Sequence, residues 1–425
     1  MIVVGAGIAG LICAIELHRA GRSVVVLERS DDVGGRVRSS RINGVTIDHG
    51  FQVLFTAYPT LNRYLDHSAL ALRTFQPAAR IVRDGRVDCI GDAWRDPSLL
   101  LDTLTARGIS LSDKVRMLAL RRFAQQLSVD ECFDARFDQL STRAFLHARG
   151  FSANTIDRFF APFYGGILLD RSLASSASIL LFTFRMLAEG TTAVPAHGMG
   201  AITAQLAAQL PVGAMRIGVG VRALIVTDGR VSGVHLDDDS RFDSDGVVLA
   251  TDASAAVALA RAANITLEAP PSALGCTTLY YTANESPLPG KALWLNANEN
   301  AVISHAVTLT DVAPEYAPAG TALIAATAVG DAAHHADHAL DLSARAEIAQ
   351  MARAAGHSFD GEMNRLAVWR VPYAQFAQPP GIFSALPSVR CALPGLWRAS
   401  EVLHSSSLEG AARGGREAAR AVLAS

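Results

Sequence analysis

The chain has 425 residues, half of them hydrophobic and 18% charged, with a formal net charge of −2. Such a composition predicts two or three folded domains and excludes a disordered chain, and the balanced charge gives no electrostatic reason to expect a nucleic-acid partner. The five cysteines (Cys13, Cys89, Cys132, Cys276, Cys391) are scattered and contain no C-x-x-C. That excludes a disulfide scaffold and a thiolate zinc site and fits a reducing cytoplasm. No apolar run reaches the ~18–20 residues that cross a bilayer.

Ile2-Val3-Val4 reads as a short apolar strand, and Gly5-Ala6-Gly7-Ile8-Ala9-Gly10 follows it without a gap. Leu11 to Ala20 reads as a helix closed by Gly21, and Ser23 to Leu27 as a second buried strand ending at Glu28. This is a strand–helix–strand unit carrying G-x-G-x-x-G, with an acidic residue 18 positions after the last glycine. Gly5 permits the tight turn, Gly7 lets the backbone approach a pyrophosphate, and Gly10 allows close helix–strand packing. The helix N-terminus, with Ile8 and Ala9 in its first turn, offers free N–H groups to the phosphates. Glu28, with Arg29 beside it, is placed to accept the ribose hydroxyls of an adenosine and would repel a 2′-phosphate.

The next segment separates FAD from NAD. Val33-Gly34-Gly35-Arg36-Val37-Arg38-Ser39 is followed by Thr46-Ile47-Asp48-His49-Gly50-Phe51, and here the chain resembles the flavin-containing amine oxidase and phytoene desaturase superfamily. The resemblance implies an α/β fold, with a Rossmann-like FAD-binding domain and a second, substrate-binding domain of antiparallel sheet plus helices. It implies non-covalent FAD, with Gly34 and Gly35 under the pyrophosphate and Arg36 reaching the phosphates or the flavin edge. Gly50 and Phe51 would stand beside the flavin ring. The expected division is 1–60, 195–270 and 380–425 for FAD, with 61–194 and 271–379 for substrate.

Residues 61 to 194 read as mainly helical, with helical spacing over Asp113 to Leu127, Ser141 to Ala148 and Ala153 to Phe160. The first of these carries Lys114, Arg116, Arg121 and Arg122 around an apolar stripe. A peripheral membrane contact is one expectation for it, although a solvated helix face is the commoner origin of such a pattern. Phe159 to Gly166 and Ile179 to Phe184 are candidate cavity walls. Pro195 to Gly200 introduces a helix, and Ala223 to Val226, Asp228-Gly229-Arg230 and Val231 to Leu236 read as a hairpin. By resemblance, the Val221 backbone meets the adenine. Residues 271 to 330 switch to strands at Cys276–Thr282, Ala292–Asn296, Val302–Thr308 and Ala322–Ala328, and Ser343 to Ala355 is again helical. His334-His335-x-x-His338 lacks an acidic signature such as H-E-x-x-H, so no metal is expected.

At the C-terminus Ala399-Ser400-Glu401 leads to Ser405-Ser406-Ser407-Leu408-Glu409-Gly410, with Ser406-x-x-Glu409 reading as a capping box for the last helix. The resemblance places Glu401 at the ribityl chain, and Ser407 and Leu408 at the flavin edge that gains charge on reduction. The family usually has Gly-Asp where this chain has Ser400-Glu401. Lys291 lies in the turn Pro289-Gly290-Lys291, away from where amine oxidases carry a lysine, and Ser407-Leu408 stands where they commonly have a tyrosine. The expected reaction is therefore dehydrogenation or desaturation of a hydrophobic, isoprenoid-like substrate by hydride transfer to flavin N5, with oxygen or a quinone as electron acceptor. Amine oxidase-type turnover of a small molecule and a non-redox flavin-dependent isomerisation remain as alternatives. The candidate catalytic residues are His404 as proton acceptor, Tyr373 as pocket wall, and Gln52, which follows Gly50-Phe51.

Overall fold

The computed structural model describes residues 1–268, 271–359 and 361–425. Five short strands from four distant parts of the chain form a parallel sheet in the order Met215–Ile217, Val25–Glu28, Ile2–Val4, Val247–Leu249, Leu396–Arg398. Both faces are covered, so the strands are continuous apolar runs rather than alternating ones. Val3, Val26 and Val248 pack under the helices Ile8–Arg19 and Leu408–Leu423. Ile2, Val4, Leu27, Val247 and Leu249 pack instead against a three-stranded antiparallel sheet of 221–227, 230–236 and 241–243. Its hairpin turns at Asp228 and Gly229, both at positive φ (51° and 72°), as the Asp-Gly pair predicts.

A seven-stranded sheet lies beside this layer in the order Asn364–Phe376, Ala273–Ala283, Ala322–Val329, His305–Thr308, Leu293–Asn296, Ala78–Arg83, Arg86–Gly91. Neighbours are antiparallel except Leu293–Asn296 against Ala78–Arg83. Side chains alternate across it. Leu279, Tyr281, Ile324, Ala326, Ala306 and Trp294 meet the helix Asp337–Ala354 on one face. The other face carries Tyr280, Leu295, Val307 and Ala325 into the main core. The α/β architecture expected from the resemblance is therefore present, although the expected boundary at residue 270 lies outside the described residues.

Residues 61–194 are mainly helical, as expected, with one addition: Ala78–Arg83 and Arg86–Gly91 form a hairpin that extends the mixed sheet. Its turn is again Asp-Gly, Asp84 and Gly85 at φ 51° and 72°. The helix expected over Ala153 to Phe160 is present; it runs on to Ile167 and widens to a π-helical turn at Ile156–Phe160. No helix among the described residues is long and apolar enough to cross a membrane.

The first and last helices touch through glycine. Gly415 faces the Ala9 carbonyl so closely that an added Cβ would overlap it. On an open helix Gly→Ala gains up to about 1 kcal/mol. Here Gly415→Ala should instead destabilise by about 1–3 kcal/mol, the cost of overpacking, read as a lower denaturant midpoint in the flavin-free protein. A stabilised variant would show that the two helices are not in contact.

Candidate active site

The two layers enclose an elongated cavity of about 1830 Å³. Single-ligand pockets are roughly 300–1000 Å³, so this one has room for a dinucleotide and a second molecule. One arm is lined by Gly5, Gly7, Ile8, Ala9, Glu28, Arg29, Gly34, Gly35 and Val221. The helix Ile8–Arg19 starts at this arm with Gly7 as its N-cap and no capping side chain, leaving its first-turn N–H groups to a ligand. An added Cβ at Gly7 would meet nothing nearer than the Gly34 carbonyl oxygen at 4.0 Å, so the backbone is bare where a phosphate would approach. Gly10 does not line the cavity. It packs on the Gly5 carbonyl, which is the close-packing role expected of it.

Glu28 is buried and accepts from the backbone N–H groups of Ala6 and Ser30, both at 2.8 Å. A carboxylate has about four acceptor positions, so two remain for ribose hydroxyls. Val221 lines the same end, and its carbonyl accepts from Arg29. The residues present thus fit the dinucleotide that the sequence implies.

At the middle of the cavity, the two ends of the chain are locked by an ion pair. Arg36 Nη2 lies 2.6 Å from Glu401 Oε1, and Arg36 also donates to the Ala374 carbonyl at 3.2 Å. Burial opposes the arginine charge, yet the Glu401 carboxylate outweighs it and the Arg36 pKa is raised. Burial likewise works against the Glu401 carboxylate, but Arg36 holds it below the usual carboxylate range. Both shifts point to a fully charged pair. Arg36, expected to reach the phosphates or the flavin edge, lines the cavity with its guanidinium paired to Glu401.

Gly50, Phe51 and Gln52 line the cavity wall opposite. Gly50 has φ 91° and an added Cβ would sit 3.2 Å from Val371, so only glycine fits without strain. Gln52 donates its amide N–H groups to the carbonyls of Arg36 and His49, which ties the turn that lines the cavity. Beneath the turn, Asp48 is fully buried and accepts from Ser39 Oγ, Met199 N and Tyr316 Oη. Burial pushes it up to about 6 despite those three donors.

His404 and Tyr373 are not on the cavity wall. The His404 imidazole points to the last helix, where Nε2 lies 2.7 Å from Glu417. Tyr373 packs on Ala253 and Val402 with its ring beside the Arg36 guanidinium, and burial followed by the Glu401 charge raises its pKa to about 12. The expectation for His404 rests on its closeness in sequence to the last helix, and that for Tyr373 on its place on the strand Asn364–Phe376 that precedes the C-terminal return. The capping box is also displaced. Ser407, not Ser406, caps Leu408–Leu423 by accepting from Gly410 N, while Ser407 and Leu408 line the cavity. Glu409 leaves its own helix end and accepts from Thr60 N and Leu61 N, fixing the 56–61 loop.

The second arm has apolar walls. Phe159, Phe163, Tyr164, Ile179, Phe182 and Phe184 line it, all from the two segments expected to do so. Sequence reading missed the polar floor of this arm. Thr278, Thr327 and His305 form one cross-strand row on the cavity face of the mixed sheet. His305 is 4% exposed, and neither ring nitrogen has a partner. Burial, followed by the nearby Arg171 charge, lowers its pKa to about 4, so the imidazole is neutral at pH 7. The available signal was a lone histidine facing inward on an otherwise apolar strand. Among the described residues no group of three His, Cys, Asp or Glu is arranged to hold a metal ion.

The model of the family described as flavin containing amine oxidoreductase matches residues 8–423. Protoporphyrinogen oxidase 2 of Arabidopsis thaliana is 29% identical over 168 residues, 39% of this chain and 31% of that protein. Putrescine oxidase of Kocuria rosea is 42% identical over 76 residues, 18% of this chain and 16% of that one. The alignments thus span under a third of these relatives' own lengths. A crystal structure of a putative protoporphyrinogen oxidase from Exiguobacterium sp. 255-15 superposes with a TM-score of 0.75 at 17% identity, covering 99% of this chain and 98% of that one. At that identity it shows the fold alone.

Removing one partner of the central ion pair leaves a buried charge. Glu401→Gln should lower the unfolding free energy of the flavin-free protein by about 3 kcal/mol, measured by urea denaturation. Arg36→Met combined with Glu401→Gln should recover part of that loss. If the double variant loses the sum of the two single effects, the pair is not coupled.

Proposed function

The chain belongs to the flavin-containing amine oxidoreductases, an FAD-dependent family of enzymes, and from that premise we propose that it dehydrogenates or desaturates a hydrophobic substrate. The observation that carries this reading is the second arm of the cavity, an aromatic-walled chamber joined to the nucleotide arm at Gly50 and Phe51. Bound FAD supplies the hydride acceptor at flavin N5. Glu28 would hold the adenosine ribose, and the free N–H groups before Ile8 and Ala9, with Gly34 and Gly35, the pyrophosphate. The N-terminus of Leu408–Leu423 would face the flavin edge where negative charge develops, a stabilisation that the helix dipole supplies. Phe159, Phe163, Tyr164 and Phe182 exclude water from the reacting carbon and orient an apolar skeleton. On this reading 1–60, 195–270 and 380–425 serve the cofactor, while 61–194 and 271–379 serve the substrate.

Amine oxidation is the weaker alternative. Lys291 is exposed in its turn and its backbone carbonyl accepts from Gln76 N, and the lysine that lines the cavity, Lys114, stands at the mouth. That mouth supports a hydrophobic substrate in a second way. Trp94, Leu100, Leu101, Leu104, Leu111, Val115 and Leu118 are each more than half exposed, and Trp94, Leu100, Leu104 and Leu118 also line the cavity. With Arg107 and Arg122 nearby, this patch would rest on an anionic membrane surface and admit substrate directly from the lipid.

Purified protein should carry about one releasable FAD per chain, and its flavin absorption should bleach anaerobically with a polyene or a reduced tetrapyrrole but not with putrescine. Bleaching by the diamine alone would replace this reading with amine oxidation. In a separate measurement, sedimentation with vesicles containing phosphatidylglycerol should fall several-fold for Leu101→Asp combined with Leu111→Asp. Unchanged sedimentation would remove the membrane contact while leaving the flavin chemistry intact.

A further inference from the structure

Buried hydrogen-bonding groups are almost always satisfied, so unpartnered ones gathered at one place call for an explanation. Three such side chains converge on the segment Gly166–Ile167 at the floor of the substrate arm. His305 has no partner at either ring nitrogen, Ser304 none at its hydroxyl, and Gln375 none at Oε1. Gln375 donates its other amide atom to the Ile167 carbonyl at 2.7 Å, next along the same segment. A Cβ at Gly166 would stand 3.0 Å from His305 Nδ1 and 3.8 Å from Ser304 Oγ. The missing side chain therefore keeps open the space in front of the imidazole. Gly166, His305, Thr327 and Gln375 all line the cavity.

We propose that His305, with Thr327 beside it in the cross-strand row, forms a recognition subsite for a neutral hydrogen-bonding group, a hydroxyl, carbonyl or N–H, carried by an otherwise apolar substrate. The proposal rests on the reading of this chamber as the substrate arm. A neutral imidazole offers one donor and one acceptor. The subsite is unsuited to an ammonium group. Among the described residues no carboxylate pairs with His305, and the Arg171 guanidinium, which donates to the Asn296 carbonyl at 3.0 Å, lies close enough to disfavour a second positive charge. Nor is His305 a structural cross-link, since a cross-linking histidine would use at least one nitrogen. The subsite fixes which end of a long apolar skeleton enters first, and so which carbon stops beside Gly50 and Phe51.

The test compares 2-naphthol with 2-methylnaphthalene, which match in shape and differ in one hydrogen-bonding group. Binding to the holoprotein is followed by quenching of tryptophan fluorescence, a readout that needs no turnover. Wild type should prefer the naphthol about five- to tenfold, the worth of one buried hydrogen bond. His305→Phe should abolish that preference while binding the methyl compound unchanged and keeping its flavin, and His305→Gln should restore part of it. Gly166→Ala should reduce naphthol binding selectively with His305 left in place, which covers the case that His305→Phe fails to fold. Equal affinity of wild type for the two probes, or a preference that survives both His305→Phe and Gly166→Ala, would overturn the proposal. Protein that lacks flavin yet keeps the discrimination would sink the oxidoreductase reading and leave the subsite standing.

Discussion

Everything in this protein depends on two helix N-termini being brought to one cavity from opposite ends of the chain. The contact that does this is backbone against backbone, with Gly415 of the last helix on the Ala9 carbonyl of the first. Side chains at that crossing would separate the helices and draw Leu408 away from the turn at Gly5–Gly10. The Arg36–Glu401 pair then fixes the same two ends a second time, through charge rather than van der Waals contact. Close packing sets the distance between the arms of the site, and the ion pair sets their register.

A cavity this large is a cost to the fold, because its lining atoms lack the dispersion contacts that a packed interior supplies. The flavin-free protein is accordingly stabilised by whatever fills the space, in proportion to ligand concentration over dissociation constant. The polar groups are distributed with that in mind. Glu28, Asp48 and Glu409 are held by backbone or side-chain donors before any ligand arrives, while the ring nitrogens of His305 and the Oε1 of Gln375 are not. The first arm thus has its polar groups partnered within the chain, whereas the second arm keeps unpartnered ones.

What the sequence made legible was local. The strand, glycine turn, helix and Glu28 lie within 28 residues, so spacing alone carried their geometry. The hairpin at Asp228-Gly229 was readable for the same reason, and the one at Asp84-Gly85 carried the same signal within a segment whose apolar spacing looked helical. Errors arose wherever a long-range partner decided the outcome. Glu409 matches a capping box in sequence, but Thr60 and Leu61, some 350 residues earlier, take its carboxylate. His404 sits four residues before the last helix yet turns to Glu417 on that helix's outer side, and Tyr373 is diverted to Arg36. His305 escaped notice because nothing in a strand's sequence says whether an inward histidine meets a partner or a void.

The order of strands in the parallel sheet has a consequence for how the protein is made. The central strand Ile2–Val4 is paired on one side by Val247–Leu249, whose own neighbour is Leu396–Arg398, and much of the first helix is covered by Leu408–Leu423, with Gly200–Ala207 also packed on it. During synthesis at roughly 5–20 residues per second, the apolar face of the first helix would wait about 20–80 s for its cover. For that interval the nascent chain exposes a sticky surface, and a ribosome that stops early releases a product whose nucleotide arm cannot close.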